Sequence, residues 1–418
     1  MEHFAHPSHS GRHSDDTTTV NLPVCKSTLA RWLILEAVDG KATLAELLDQ
    51  APTLPDDLRV LRLGLEGGGI DCRDSGTALR LLTAYHAIRG GEHTFTGSER
   101  LCQRPISELL DLLTVAGAKI TPLGAQGHLP FTLRSDRPLH FPETIDAHHW
   151  RSSQYVSALL LSGVRSHILY PDSGPSYAYI LLTIRCLDQF GYQVAIAGDR
   201  IDIVGRTSVK SPVMGNMDDL PRDWSSAGYW YELLALCPTI PSLEAKSLCL
   251  GSHHPDERVV DLYKKHFAIT TTAGPSATRL HSSHTEALHS HVEIDLSQSP
   301  DLFSAIACTC LGQRRTFALS GLDLLRHKES DRIESFIANA GRLGASGFAT
   351  TTSTLTWDGT LHPTPSAVID PMSDHRVAMA FGILAKSGAL GGQYDIKAPN
   401  VVQKSYPQFW EELHKLLP

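Results

Sequence analysis

The chain has 418 residues with a formal net charge of −8: it is too long for one ordinary hydrophobic core, and too acidic for broad nucleic-acid or acidic-membrane binding, although a basic cleft inside an acidic protein suits anionic substrates. Its eight cysteines are scattered with no CxxC pair, only Cys308 and Cys310 lying close together, which suits a reducing cytoplasm better than a disulfide framework. No apolar run is long enough to span a bilayer, and residues 1–19, rich in His, Ser, Thr and Asp without a hydrophobic h-region, read as a disordered leader and not as a secretory signal.

In chain order, six short polar steps open straight into Ala/Leu-rich helical runs: Lys26-Ser27-Thr28, Asp74-Ser75-Gly76-Thr77, Ser152-Ser153-Gln154, Asp223-Trp224-Ser225-Ser226, Ser299-Pro300-Asp301 and Ser373-Asp374-His375-Arg376. After a shorter first gap they recur roughly every 75 residues, the signature of an internally repeated architecture. Ser, Thr and Asp at these points can cap the free amides of a first helical turn. Such a turn is also an anion site, because its N–H groups and the positive end of the helix dipole act together. One such start alone is equally an ordinary capped helix; six in register point to one shared anionic ligand.

Between these starts the pattern is helix, glycine, strand. Pro105 opens an amphipathic run that ends near Gly117 and leads into Lys119-Ile120-Thr121. Tyr179 begins another, which reaches Gly191 and the strand-like Tyr192–Ile196; a third starts at Ser330-Asp331-Arg332 and leads to strands ending at Trp357. This alternation predicts a layered α/β (α+β) protein. Neither G-x-G-x-x-G after a strand nor G-x-x-x-x-G-K-[ST] is present, so no nucleotide-binding loop is expected.

The densest charged cluster is His327-Lys328-Glu329-Ser330-Asp331-Arg332. It reads either as a solvated helix start or as a cation, a proton-transfer carboxyl and a phosphate fork brought to one site. Arg31, Arg80, Arg104, Arg332 and Arg376 all lie at or near helix starts, and a guanidinium grips carboxylate or phosphate in bidentate fashion where a lysine cannot.

Lys26-Ser27, Ser75-Gly76-Thr77 with Arg80, Arg100–Ile106, Ser152-Ser153-Gln154, Asp223–Ala227, Pro300-Asp301, Lys328–Arg332, Asp374-His375-Arg376 and Lys404-Ser405-Tyr406-Pro407 follow one another in that order. Together they resemble the 5-enolpyruvylshikimate-3-phosphate synthase family, the enolpyruvyl transferases of the shikimate pathway, from about Leu22 to the C-terminus. The wording around Arg80 and Asp223 is that of a divergent bacterial branch.

The resemblance implies two similar lobes, each of three βαβαββ units, forming an inside-out α/β barrel with helix N-termini converging on the cleft. The lobes would be residues 20–23 with 224–418, and residues 24–223. It implies transfer of the enolpyruvyl group of phosphoenolpyruvate to the 5-hydroxyl of shikimate 3-phosphate, by a cytoplasmic monomer with no cofactor and no metal. It further implies catalytic roles for Asp301, Glu329 and Lys328, and phosphoenolpyruvate contacts from Lys26, Gly76, Arg104, Gln154, Arg332, Arg376 and Lys404. Shikimate 3-phosphate would meet Ser27, Arg31, Ser152, Ser153, Gln154, Ser176, Tyr179, Asp301 and Lys328.

The chain departs from the family at Val24-Cys25, where Gly-Ser is usual, and at Ala30, Asp74 and Leu324, where Asn is usual. Val24 adds bulk at the interdomain hinge and Asp74 puts a carboxylate beside an anion site. The competing readings are a transferase of the same fold using another acceptor, such as UDP-N-acetylglucosamine, and a non-catalytic anion-binding relative.

Overall fold

The computed structural model of the chain describes residues 18–208, 212–213, 215–274, 276–283 and 289–417. Residues 1–17 of the His-rich leader lie outside the described residues. Thr18 and Thr19, assigned above to the leader, instead begin the strand β1 (Thr18–Asn21), because their backbone pairs in parallel with Leu243 and Glu244.

Three helices come next: α1 (Lys26–Val38), α2 (Thr43–Asp49) and α3 (Asp56–Gly64). A βαβαββ unit follows, built from β2 (Gly69–Asp71), α4 (Gly76–Arg89), β3 (Gly91–Thr96), the short α5 (Glu99–Cys102), α6 (Ser107–Val115), β4 (Lys119–Pro122) and β5 (Phe131–Ser135). The next unit runs β6 (Thr144–Asp146), α7 (Ser153–Leu161), β7 (His167–Leu169), α8 (Tyr177–Gln189), β8 (Tyr192–Ala197) and β9 (Arg200–Arg206). The chain then crosses back, and β1 is completed as a unit by α9 (Trp224–Leu236), β10 (Ser242–Lys246), α10 (Val259–Phe267), β11 (Ile269–Ala273) and β12 (Ala277–Ser282). A fourth unit comprises β13 (His291–Asp295), α11 (Phe303–Gly312), β14 (Thr316–Ser320), α12 (Arg332–Arg342), β15 (Phe348–Thr350) and β16 (Leu355–Trp357). The last comprises β17 (Ser366–Ile369), α13 (His375–Lys386), β18 (Gln393–Ile396) and α14 (Phe409–Leu416).

The four-stranded sheets share one order, β2-β3-β5-β4 being typical: two parallel strands joined through a helix, then an antiparallel hairpin. The repeated α/β architecture is the expected one, with two abbreviations. The last unit keeps only the pair β17-β18, and the unit opening at Lys26 has no strand among the described residues. In that unit Leu44, Leu48, Leu58 and Leu61 are buried at helical spacing, so α2 and α3 cover the core where a sheet covers it elsewhere.

Two hydrophobic cores result. One holds Val20, Leu22 and residues from Trp224 to Leu413; the other runs from Val24 to Leu220. Their boundary is the pair of crossings, which run antiparallel and bind each other. Val24 bridges Arg222, the Cys25 N–H donates to the Pro221 carbonyl at 2.7 Å, and the Asp223 N–H donates to the Pro23 carbonyl at 3.1 Å. The hinge is thus a two-stranded ladder only a few residues long.

Candidate active site

The six polar steps all stand at helix starts. Ser75 caps α4 through the Ala78 N–H, Ser152 caps α7 through the Gln154 N–H, Asp223 caps α9 through the Ser225 and Ser226 N–H groups, and Asp374 caps α13 through the Arg376 N–H. Pro300 starts a short 3-10 turn that runs into α11. Cys25 stands at the cap position of α1 without a side-chain cap bond. Five starts deliver residues to one cavity between the lobes: Lys26 and Ser27, Gly76 and Thr77, Ser152 to Gln154, Asp301, and Arg376. The α9 start does not line it; Ser225 Oγ instead donates to Asp256, which also accepts from the Tyr179 hydroxyl at 3.3 Å.

The cavity is strongly and unequally charged. Lys26, Arg31, Arg80, Arg104, Lys328, Arg332, Arg376 and Lys404 stand against the carboxylates of Asp57, Asp301, Glu329 and Asp374. Asp301 Oδ1 accepts from Arg332 at 3.0 Å and faces Lys328 Nζ at 3.4 Å, while its Oδ2 accepts from Arg376 at 2.9 Å. Burial alone would raise this carboxyl's pKa, but Arg376, Lys328 and Arg332 hold it well below the usual range. Glu329 takes Arg332 at 3.1 Å and lies 3.7 Å from Lys404; against the same burial, Lys404 and Arg332 hold it ionised as well. Asp374, fully buried, fixes the Arg332 fork through Oδ2 at 2.9 Å and Oδ1 at 3.3 Å. Burial lowers the Lys328 pKa, opposed by Asp301 and aided by Arg332, so its ammonium is a readier proton donor than a surface lysine.

Arg104 makes no ion pair with a cleft carboxylate, and Glu329 and Asp57 reach it only through space. Its Nε is buried without a hydrogen-bond partner, and its two terminal nitrogens lie 2.7 Å from where a Cβ on Gly76 would stand. Burial first, then the neighbouring Arg80, pushes its pKa down to about 10. Arg31 is satisfied only by neutral oxygens, those of Thr183 at 2.8 Å, Ser27 at 2.6 Å and Tyr179 at 3.1 Å.

The fifteen positions Lys26, Ser27, Arg31, Gly76, Arg104, Ser152, Ser153, Gln154, Ser176, Tyr179, Asp301, Lys328, Glu329, Arg332 and Arg376 line this one cavity. Lys404 reaches it from the other lobe's side of Asp57, at 3.0 Å. Ser176 takes a left-handed φ of 57°, a backbone conformation that costs energy for serine, and its N–H crosses to the Ser297 carbonyl at 3.2 Å. Sequence reasoning missed Asp57, which binds Lys26 at 2.8 Å as well as Lys404; its signal was Pro55-Asp56-Asp57, a helix start outside the six-part register. It also missed Arg100 as a clasp: this guanidinium donates across the cleft to the carbonyls of Arg326 and Lys328, both at 3.2 Å.

Of the departures, Ala30 and Leu324 line the cavity. The Asp74 carboxylate does not: it accepts from Ser98 Oγ at the surface, and only the Asp74 carbonyl faces inward, to Lys404 at 2.9 Å. Among the described residues one trio has potential ligand atoms within 4.8 Å of one another, Cys25, Asp223 and His254, and it belongs to the hinge and not to the cleft. No described helix is long and apolar enough to cross a membrane.

Comparison with known proteins bears on the family and the fold. The family model for EPSP synthase (3-phosphoshikimate 1-carboxyvinyltransferase) matches residues 19–413. A 3-phosphoshikimate 1-carboxyvinyltransferase of Bacteroides fragilis is 32% identical over 405 residues, covering 95% of this chain and 94% of its own. One from Methanospirillum hungatei is 29% identical, covering 94% of each. Among solved structures, an EPSP synthase from Acinetobacter baumannii superposes with a TM-score of 0.67 at 19% identity, over 96% of this chain and 95% of that one. The enolpyruvyl transferase NikO from Streptomyces tendae superposes with 0.62 at 16%, over 96% and 94%; at these identities the two structures speak for the fold. The family match spans both lobes and every strand and helix that carries a cleft residue, and the chain belongs to the EPSP synthase family.

Proposed function

We propose that the chain is a 3-phosphoshikimate 1-carboxyvinyltransferase: it transfers the enolpyruvyl group of phosphoenolpyruvate to the 5-hydroxyl of shikimate 3-phosphate and releases phosphate. The observation that carries this reading is Arg104, a half-buried side chain whose buried Nε has no acceptor, beside Gly76 in a cleft where cations exceed carboxylates. Such a charge is costly until a phosphate or carboxylate meets it. The working unit is taken as a cytoplasmic monomer that needs neither metal nor organic cofactor, as the family resemblance implies.

The reaction protonates the methylene carbon of phosphoenolpyruvate while the hydroxyl oxygen bonds to the adjacent carbon. The resulting tetrahedral phospho-ketal then loses phosphate from that carbon and a proton from the new methyl group, which restores the carbon–carbon double bond. Asp301, ionised and held by three cations, takes the hydroxyl proton as general base. Lys328, its pKa lowered by burial, stabilises or relays charge beside Asp301, at 3.4 Å. Glu329 is ionised in the free protein; a polyanion arriving beside it raises its pKa by like-charge repulsion and turns it towards acid duty near the methylene carbon. Lys26, Arg104, Arg332, Arg376 and Lys404 grip the carboxylate and phosphate of phosphoenolpyruvate, with the Gly76 amide and Gln154 beside them. Ser27, Arg31, Ser152, Ser153, Gln154, Ser176 and Tyr179 hold shikimate 3-phosphate, and closure removes water so that each charge acts at full strength.

Phosphate release measured with each substrate alone and with both tests this. Turnover should require both and should be indifferent to chelators. Better turnover with UDP-N-acetylglucosamine would move the reading to another acceptor, and no turnover with either would favour a non-catalytic binder.

A further inference from the structure

We propose that Cys25 is a covalent modification site, a thiol reached through a cavity behind the hinge and readied by His254, through which small electrophiles slow turnover. The cavity, about 670 Å³, lies on the far side of the crossings from the cleft and is lined by both lobes. Exposed residues such as Arg185, Asp218 and Cys249 form its rim, and Cys25, Thr28 and His254 are buried in its wall.

His254 is 4% exposed. Its Nδ1 accepts the Asp256 N–H at 3.1 Å, so the neutral ring carries its proton on Nε2, and Nε2 is buried with no hydrogen-bond partner. The Cys25 sulfur, a His254 nitrogen and an Asp223 carboxylate oxygen lie within 4.8 Å of one another. A metal ligand would need the lone pair of Nε2, which the acceptor role of Nδ1 denies it, so the group is better built to donate to sulfur than to coordinate an ion. The Thr28 hydroxyl, 3.3 Å from the sulfur, is a second polar neighbour of the thiol.

Position gives the modification its effect. Cys25 is bonded through its N–H to Pro221 on the second crossing, and the next two residues, Lys26 and Ser27, line the cleft. A group added to the sulfur wedges the hinge ladder and shifts the start of α1. With iodoacetamide the sulfur forms a bond to the methylene carbon, iodide leaves with the electron pair of the broken C–I bond, and the thiol proton goes to solvent.

The test treats the full-length protein with iodoacetamide and maps labelled peptides by mass spectrometry. Cys25 should be labelled along with exposed Cys249, while Cys72, Cys186, Cys308 and Cys310 stay free. His254→Asn keeps an acceptor for the Asp256 N–H but removes the Nε2 donor, and should slow Cys25 labelling several-fold. If that variant melts early, Thr28→Val gives the same comparison. Phosphate release should fall several-fold in labelled Cys249→Ser and stay unchanged in labelled Cys25→Ser/Cys249→Ser. The turnover arm rests on the proposed transferase activity and the labelling arm does not, so their failures are distinguishable. An unlabelled Cys25 beside saturated Cys249, labelling that begins only after a chelator, equal rates in the folded variant, or unchanged turnover after labelling would each overturn the proposal.

Discussion

Lys404 of one lobe lies 3.0 Å from the Asp57 carboxylate of the other, and the same carboxylate binds Lys26 at 2.8 Å. Asp57 thus ties the lobes together and neutralises two of the cleft's cations. Burial would raise its pKa, but Lys26 and Lys404 hold it well below the usual range. A depressed carboxyl contributes stability that is complete above its unfolded value and is lost as pH falls through the folded one, so closure should be intact at neutral pH and weaken only in acid. Asp57→Asn removes the carboxylate between the Lys26 and Lys404 ammonium groups and leaves Lys404 only the Glu329 carboxylate, at 3.7 Å. In small-angle scattering the free variant should be more expanded than the parent at pH 7, and shikimate 3-phosphate with phosphoenolpyruvate should compact it. Equal radii for the free proteins would remove Asp57 as a closure device.

Gly76 makes a second prediction, from contact distance. A methyl group here would stand 2.5 Å from Arg80 and 2.7 Å from both terminal nitrogens of Arg104, so Gly76→Ala must push the guanidinium pair aside. The Michaelis constant for phosphoenolpyruvate should rise, with a much smaller change for shikimate 3-phosphate, and Arg104→Ala should raise the same constant while also slowing turnover. An unaltered constant in Gly76→Ala would place the phosphoenolpyruvate anion elsewhere.

Glu232 is the oddity of the first core: it is fully buried on α9, and neither carboxylate oxygen has a hydrogen-bond partner. Burial raises its pKa well above the ordinary value. A carboxyl raised in the folded state binds its proton more tightly there than when unfolded. It therefore costs nothing below the unfolded pKa and destabilises increasingly as pH rises towards the folded one. Glu232→Gln removes that penalty. The stability gap in favour of the variant should open from about pH 4 upwards at up to ~1.4 kcal/mol per pH unit. Denaturant melts at pH 4, 6 and 8 would check it; a gap independent of pH would mean the side chain ionises in the folded protein.

What the sequence made legible was whatever is local. The helix from Pro105, the pair α8 and β8, and the run from α12 to Trp357 follow from spacing and punctuation within a single stretch of chain, and the structure has them at Ser107–Val115, Tyr177–Ala197 and Arg332–Trp357. The cap residues of the helix starts were legible for the same reason. Asp57 and Arg100 were not, since each acts through a partner more than two hundred residues away, Lys404 for one and the Arg326 and Lys328 carbonyls for the other. The Lys26 unit also resisted reading: Leu44, Leu48, Leu58 and Leu61 carry the helical period, but the six-part rhythm around them favoured strands.

Asp301 provides the sharpest test of roles within the cleft. Its two oxygens hold Arg332 at 3.0 Å, Lys328 at 3.4 Å and Arg376 at 2.9 Å, so it is at once the proposed base and the counter-charge that lets three cations share one wall. Asp301→Asn keeps the side chain's shape and removes charge and basicity. As a base it accounts for roughly 10²–10⁴-fold in turnover, and as a counter-charge its loss leaves buried cations repelling one another. The two roles separate by measurement. If Asp301 is the base, kcat falls by that factor even under saturating substrates, where two polyanions restore the charge balance and the melting temperature recovers towards the parent. If it is only a counter-charge, the same saturation should restore turnover together with stability. Phosphate release and thermal melts on one preparation, free and ligand-saturated, decide between them: a ligand-saturated variant that melts like the parent and turns over like the parent would mean that Asp301 does not take the hydroxyl proton.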